Sequence, residues 1–187
     1  MQKKSKLIAL SGVMGALTFV VMFLESYVLT ILIPLAPPCF LSLSLAITLS
    51  LAGDWRYMFI GGTILGISSL IIAFIIGNPV FILPWISILP RIFIGVVAFA
   101  VSKLIQKIFS KTSNKILKDS LPYCVGAIFG VITNTVLVLT MMYFCGFVGI
   151  EGIIATFMAI NFPIEVVASA IFVPILVKAL KRFNKVG

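Results

Sequence analysis

Histidine is missing altogether from this chain of 187 residues, and charge is scarce: five acidic and fourteen basic side chains make up only 10% of it. Soluble domains carry roughly a quarter charged residues. Without histidine a His/Cys zinc site is excluded, and the commonest general base is lost. The three cysteines, Cys39, Cys124 and Cys145, form no CxxC pair. They read as apolar packing residues, with no structural disulfide predicted. The patterns GxxxxGK[ST], HExxH and GxSxG are all missing. The chain therefore has no P-loop of its own and no common hydrolase signature, and nothing in it argues for an enzyme or for a bound metal or cofactor. Low-complexity tracts are missing too, as is the internal repeat usual in secondary transporters.

What the chain has is apolar length. Hydrophobic residues make up 61% of it, and its mean hydropathy is +1.27. A membrane-spanning helix needs about 20 mainly apolar residues. The sequence thus predicts an all-α membrane protein, a compact bundle of six transmembrane helices forming one domain over residues 1–187. The net charge of +9 does not imply a nucleic-acid partner, because the charges sit at the ends of apolar runs and form no solvated basic face. Lys3, Lys4 and Lys6 precede an apolar run from Leu7 to Leu24, as in a signal peptide. That run is longer than a signal core and lacks a small-residue cleavage site, so it reads as an uncleaved first helix.

The expected spans run over Leu7–Tyr27, Phe40–Ala52, Tyr57–Ile76, Ser87–Phe109, Tyr123–Phe144 and Ile150–Leu180. The second is short and bears Ser42, Ser44, Thr48 and Ser50, which suits a place inside the bundle better than a lipid-facing one. Gly62 and Gly66 in the third have the small-xxx-small spacing that lets helix backbones approach. Gly77 to Pro90 is too apolar for a free loop and is expected to cap the outer mouth, since non-helical backbone at membrane depth must be buried or line a cavity. Six spans with both termini cytoplasmic put thirteen of the fourteen basic residues on the inner face, as the positive-inside rule asks.

Arg91 is the fourteenth, flanked by apolar residues at the outer end of the fourth span. Such an arginine either snorkels or pairs with an acid, or it aims its bidentate fork at an anionic ligand. Asp54 and Asp119 read as helix-end charges, and Glu151 as a first-turn carboxylate complementing a helix dipole. Glu25 could pair with Arg91 or touch ligand. Glu165, Asn134 and Asn161 lie inside expected spans, where polar groups need partners and are often functional. Trp85 and Tyr143 fall near the outer boundary, where aromatic belts form in any case. Together these seven residues suggest a capped, substrate-binding pocket in the outer half of the bundle.

Three stretches carry a family resemblance: Ser87-Ile88-Leu89-Pro90-Arg91-Ile92-Phe93-Ile94-Gly95, then Thr133-Asn134-Thr135-Val136-Leu137-Val138-Leu139, then Asn161-Phe162-Pro163-Ile164-Glu165 with Pro174 downstream. In their order and spacing, over nearly the whole chain, the sequence resembles the substrate-binding S components of energy-coupling factor (ECF) vitamin transporters. The LPR and TNT segments look most like the pantothenate-type branch. The resemblance implies capture of a small-molecule vitamin, and partnership with a membrane coupling subunit and two cytoplasmic ATPase subunits that hydrolyse ATP. It also implies a prokaryotic cell membrane. In that family small residues four apart on the first helix meet the coupling subunit. The matching positions here look like Gly12 and Ala16, with Ser11 and Gly15 beside them. An S component for another vitamin, such as riboflavin, folate or a pyridoxine-like compound, remains an alternative, as does a stand-alone facilitator.

Overall fold

In the computed structural model, residues 2–32, 39–53, 55–111, 114, 118–147 and 162–186 are described, and every regular element among them is helical. The order is α1 (Gln2–Leu32), α2 (Phe40–Leu51), α3 (Trp55–Ile76), a single turn α4 (Pro84–Ser87), α5 (Leu89–Ile108), α6 (Leu121–Phe144) and α7 (Phe162–Val186). A 3-10 turn, Phe109–Lys111, closes α5.

Five segments are long and apolar enough to cross a membrane: Leu7–Val28, Trp55–Ile76, Pro84–Lys111, Leu121–Phe144 and Phe162–Arg182. The chain is thus a multi-pass, all-helical membrane protein by length and composition. The expected second span does not qualify. α2 has 12 residues, which at 1.5 Å per residue reach about 18 Å against a hydrocarbon core of about 30 Å. The Pro34–Pro38 connection, Asp54, Glu151, Asn161 and the expected start of the sixth span at Ile150 lie outside the described residues.

α2 is the strut around which the rest is built. Every residue from Ser42 to Leu51 is buried, and α1, α3, α5, α6 and α7 all pack against it. Its apolar side chains Leu43, Ile47 and Leu51 join Leu65, Ile94, Val131 and Val173 in the main core. Its serines need partners in this dry setting and find them nearby. Ser44 Oγ donates to the Phe40 carbonyl at 2.6 Å and meets Ser169 Oγ at 3.0 Å. Ser50 Oγ donates to the Ala46 carbonyl at 2.9 Å. Hydroxyls bonded to the carbonyl four residues back let a helix carry serine in an apolar core.

Small residues set the close crossing of α3 and α5. A methyl group at Gly62 would collide with the Arg91 carbonyl, and one at Gly66 would press on the Ile88 backbone. The glycine spacing anticipated from sequence therefore fixes where α5, and Arg91 with it, can lie. At the end of α3, Gly77 takes a φ of +77°. The Gly77 and Asn78 N–H groups both return to the Ala73 carbonyl, at 2.9 and 3.0 Å. A left-handed residue is what lets the chain leave the helix and fold back.

The two ends of the bundle differ in chemistry. The start of α1 and the end of α7 meet at one end, where Leu10, Leu176 and Leu180 pack round a shared cluster. There Lys178 bonds to Ser120, while Lys181 bonds to the Tyr123 hydroxyl and lies 4.5 Å from its ring centre. The opposite end gathers Glu25, Cys39, Asn78, Arg91 and Glu165.

Candidate functional site: a buried arginine beside the N-terminus of the central helix

A buried helix start leaves backbone N–H groups that nothing within the helix can accept. α2 has this problem in full, since Cys39 at its N-cap makes no side-chain cap bond. Two carboxylates from other helices solve it. Glu25, on α1, accepts the N–H groups of Leu41 at 2.6 Å and Ser42 at 3.0 Å, and the Ser42 hydroxyl at 2.6 Å. Glu165, on α7, accepts the Cys39 N–H at 3.3 Å and its thiol at 3.7 Å. The positive end of the helix dipole favours anions there, which accounts for two buried carboxylates at one spot.

Arg91 lies close by, 4% exposed. Its Nη1 donates to the Ile86 carbonyl at 2.6 Å, and its guanidinium stacks over the Phe81 ring, 5.0 Å from the centroid. Among the described residues no carboxylate comes within ion-pair distance of it. Glu25, one of its expected partners, is directed to α2 instead. One of the five guanidinium N–H donors is thus committed to Ile86, and the group faces a cavity of about 50 Å³. Met22, Ser26, Cys39, Ser69, Asn78 and Arg91 are among the residues lining that cavity.

The connection after α3 closes over this cavity. Asn78 Oδ1 accepts the N–H groups of Val80 at 3.1 Å and Phe81 at 3.4 Å, the local turn that asparagine favours. Ser87 donates to the Phe81 carbonyl. Arg91 then holds Phe81 by stacking and Ile86 by hydrogen bond, so the cap is fastened to the cation it covers. A cavity of this size has room for waters. Pockets that hold drug-sized ligands run to about 300 Å³ or more, so this cavity as it stands is smaller than such a ligand needs.

The other expected site residues are spread more widely. Asn134 is buried, and its Oδ1 has no hydrogen-bond partner among the described residues. It stands one turn beyond Gly130, which packs on Ile47 and Ile94, and it does not line the cavity. Trp85 and Tyr143 are about half exposed. The Trp85 indole donates to Cys145 Sγ at 3.3 Å, and Tyr143 packs edge-on against Phe144. Neither reaches the cavity wall. Asn161 lies outside the described residues. On α1, Gly15 faces Ile64 of α3, while Gly12 and Ala16 are exposed and Gly12 has open space where a side chain would be. Ser11 is half-buried, and its hydroxyl has no hydrogen-bond partner among the described residues.

Reading the sequence missed Ser26, Ser69, Asn78 and the cavity-facing role of Cys39. Asn78 gave the strongest available signal, as a lone amide directly after a helix-ending glycine. All three cysteines are free thiols. Among the described residues, no group of three or more His, Cys, Asp or Glu side chains is placed to hold a metal ion. In comparisons with family models, curated proteins and solved structures, nothing matches this chain.

Proposed function

We propose that this chain is the membrane-embedded substrate-capture subunit of an ATP-driven ECF-type importer, taking up pantothenate or a similar carboxylate-bearing vitamin. The observation that supports this most is Arg91. A buried guanidinium with no carboxylate in ion-pair range among the described residues and a cavity before it is suited to a ligand carboxylate. Ser26, Ser69 and Asn78 in the same wall offer neutral hydrogen-bonding groups for the amide and hydroxyls of such a molecule.

In this reading both termini are cytoplasmic, in a prokaryotic cell membrane, with the lysine-bearing end of the bundle inside and the Arg91 end outside. The subunit itself is not an enzyme. A membrane coupling subunit and two cytoplasmic ATPases supply the energy, and Gly12 and Ala16 lie on the face of α1 open to the coupling subunit.

The test is direct. Mass spectrometry of small molecules retained by the purified protein, followed by calorimetric titration with pantothenate, should give one tight site per chain. Transport by the chain alone in liposomes, with no ATPase present, would instead identify a facilitator.

A further inference from the structure

The basic residues at the lysine end do not all do the same work. Lys178 and Lys181 are spent inside the bundle, on Ser120 and Tyr123 of α6. Lys103, Lys107 and Lys111 are different. They follow one another at four-residue intervals down α5 and its closing turn, and all three are exposed. Among the described residues no carboxylate pairs with any of them. Asp119 is the one described carboxylate at this end, since Glu25 and Glu165 lie at the other.

The setting of these lysines is as telling as their charge. Leu104 and Ile108, between them in sequence, are 58% and 61% exposed. Lys103 Nζ lies 5.4 Å from the centre of the Phe99 ring, so the deepest lysine keeps its amine over an aromatic face. At 1.5 Å per residue the three amines are staggered over about 12 Å along the helix. Lys103 lies two turns inside the apolar segment that ends at Lys111. Exposed amines beside exposed apolar side chains suit an amphiphile, with its phosphate among the amines and its acyl chain along Leu104 and Ile108.

We propose that this face of α5 is a binding site for an anionic phospholipid, its headgroup phosphate held by Lys103, Lys107 and Lys111. The site lies across the bundle from Arg91 and is independent of what fills the cavity there.

The full-length protein in detergent is titrated with phosphatidylglycerol and, separately, phosphatidylcholine, and bound lipid is counted by native mass spectrometry. Each basic residue near a membrane surface contributes roughly fivefold in affinity, so Lys103→Gln/Lys107→Gln/Lys111→Gln should weaken phosphatidylglycerol binding on the order of a hundredfold. The control Arg56→Gln/Lys118→Gln/Arg182→Gln removes as much charge from other exposed positions and should change it less than about threefold, while phosphatidylcholine binding stays the same in all three proteins. Equal losses in the two triple variants would reduce the effect to net charge and overturn the site. So would unchanged binding in the α5 variant, or phosphatidylcholine held as tightly as phosphatidylglycerol by the parent protein.

Discussion

The carboxylate of Glu25 on α1 accepts the backbone N–H of Leu41 at 2.6 Å, fastening an outer helix to the first turn of the buried central one. Glu165 reaches the same helix start from α7, through Cys39. Cys39 also lines the cavity that Arg91 faces. The anchoring of α2 and the candidate site are therefore one structure, and a change at either carboxylate is felt in both.

Removing the Glu25 carboxylate should lower stability markedly. Glu25→Ala leaves two backbone N–H groups without their acceptor in a dry interior and leaves the Ser42 hydroxyl only the Cys39 carbonyl at 3.3 Å, a loss of about 2 kcal/mol or more. Glu25→Gln keeps one acceptor oxygen and should cost less. Thermal unfolding in detergent separates the three proteins in that order. Identical midpoints for parent and alanine variant would show that α2 does not depend on this cap.

Glycine at 62 should be far less replaceable than glycine at 12. Gly62→Ala drives a methyl into the Arg91 carbonyl, whereas at Gly12 the same methyl meets open space. Overpacking against backbone costs about 1–3 kcal/mol, so the unfolding midpoint of Gly62→Ala should fall by several degrees and that of Gly12→Ala should not move. If α3 and α5 could part without penalty, the two variants would melt alike. Should the coupling subunit meet α1 as proposed, Gly12→Ala would weaken co-purification with it while leaving stability intact.

Much of this architecture is legible in the sequence, because length and hydropathy are properties of single segments. The third, fourth and fifth spans come out within two residues of α3, α5 and α6, and the serines of α2 mark it as an interior helix. The expected short second span comes out as α2, whose 12 residues fall below the length of a usual spanning helix. The site is harder to read for a physical reason. Arg91 stands out because an isolated cation in an apolar run is costly wherever it points. The capping roles of Glu25 and Glu165 depend on a helix start 16 and 126 residues away in sequence, and no local pattern reports that. Trp85 and Tyr143 have the right height in the bundle but turn outward, and span assignment gives height without azimuth.

Arg91→Lys should separate ligand recognition from folding. Lysine keeps the positive charge but gives up the planar fork that matches a carboxylate. If the proposed function holds, Arg91→Lys should bind pantothenate about tenfold more weakly and Arg91→Ala about a hundredfold, in line with the loss of charged hydrogen bonds worth roughly 1.5–3 kcal/mol. Calorimetry on folded variants reads this, with unfolding midpoints recorded alongside. A lysine variant that binds as well as the parent would confine Arg91 to fastening Phe81 and Ile86.

Orientation in the membrane can be read from a cysteine at each end. Cys145, just beyond α6, is exposed at the end of the bundle that carries Trp85, and Lys118 is exposed at the opposite end. In a chain with Cys39 and Cys124 changed to serine, a membrane-impermeant maleimide applied to intact cells should label Cys145. A chain with all three native cysteines changed to serine and carrying Lys118→Cys should react only after the membrane is opened. The reverse pattern would place the Arg91 end in the cytoplasm, where a subunit that captures vitamin from outside could not present its pocket. That outcome would sink the importer reading while leaving the helix order, the α2 caps and the Gly62 contact as they are.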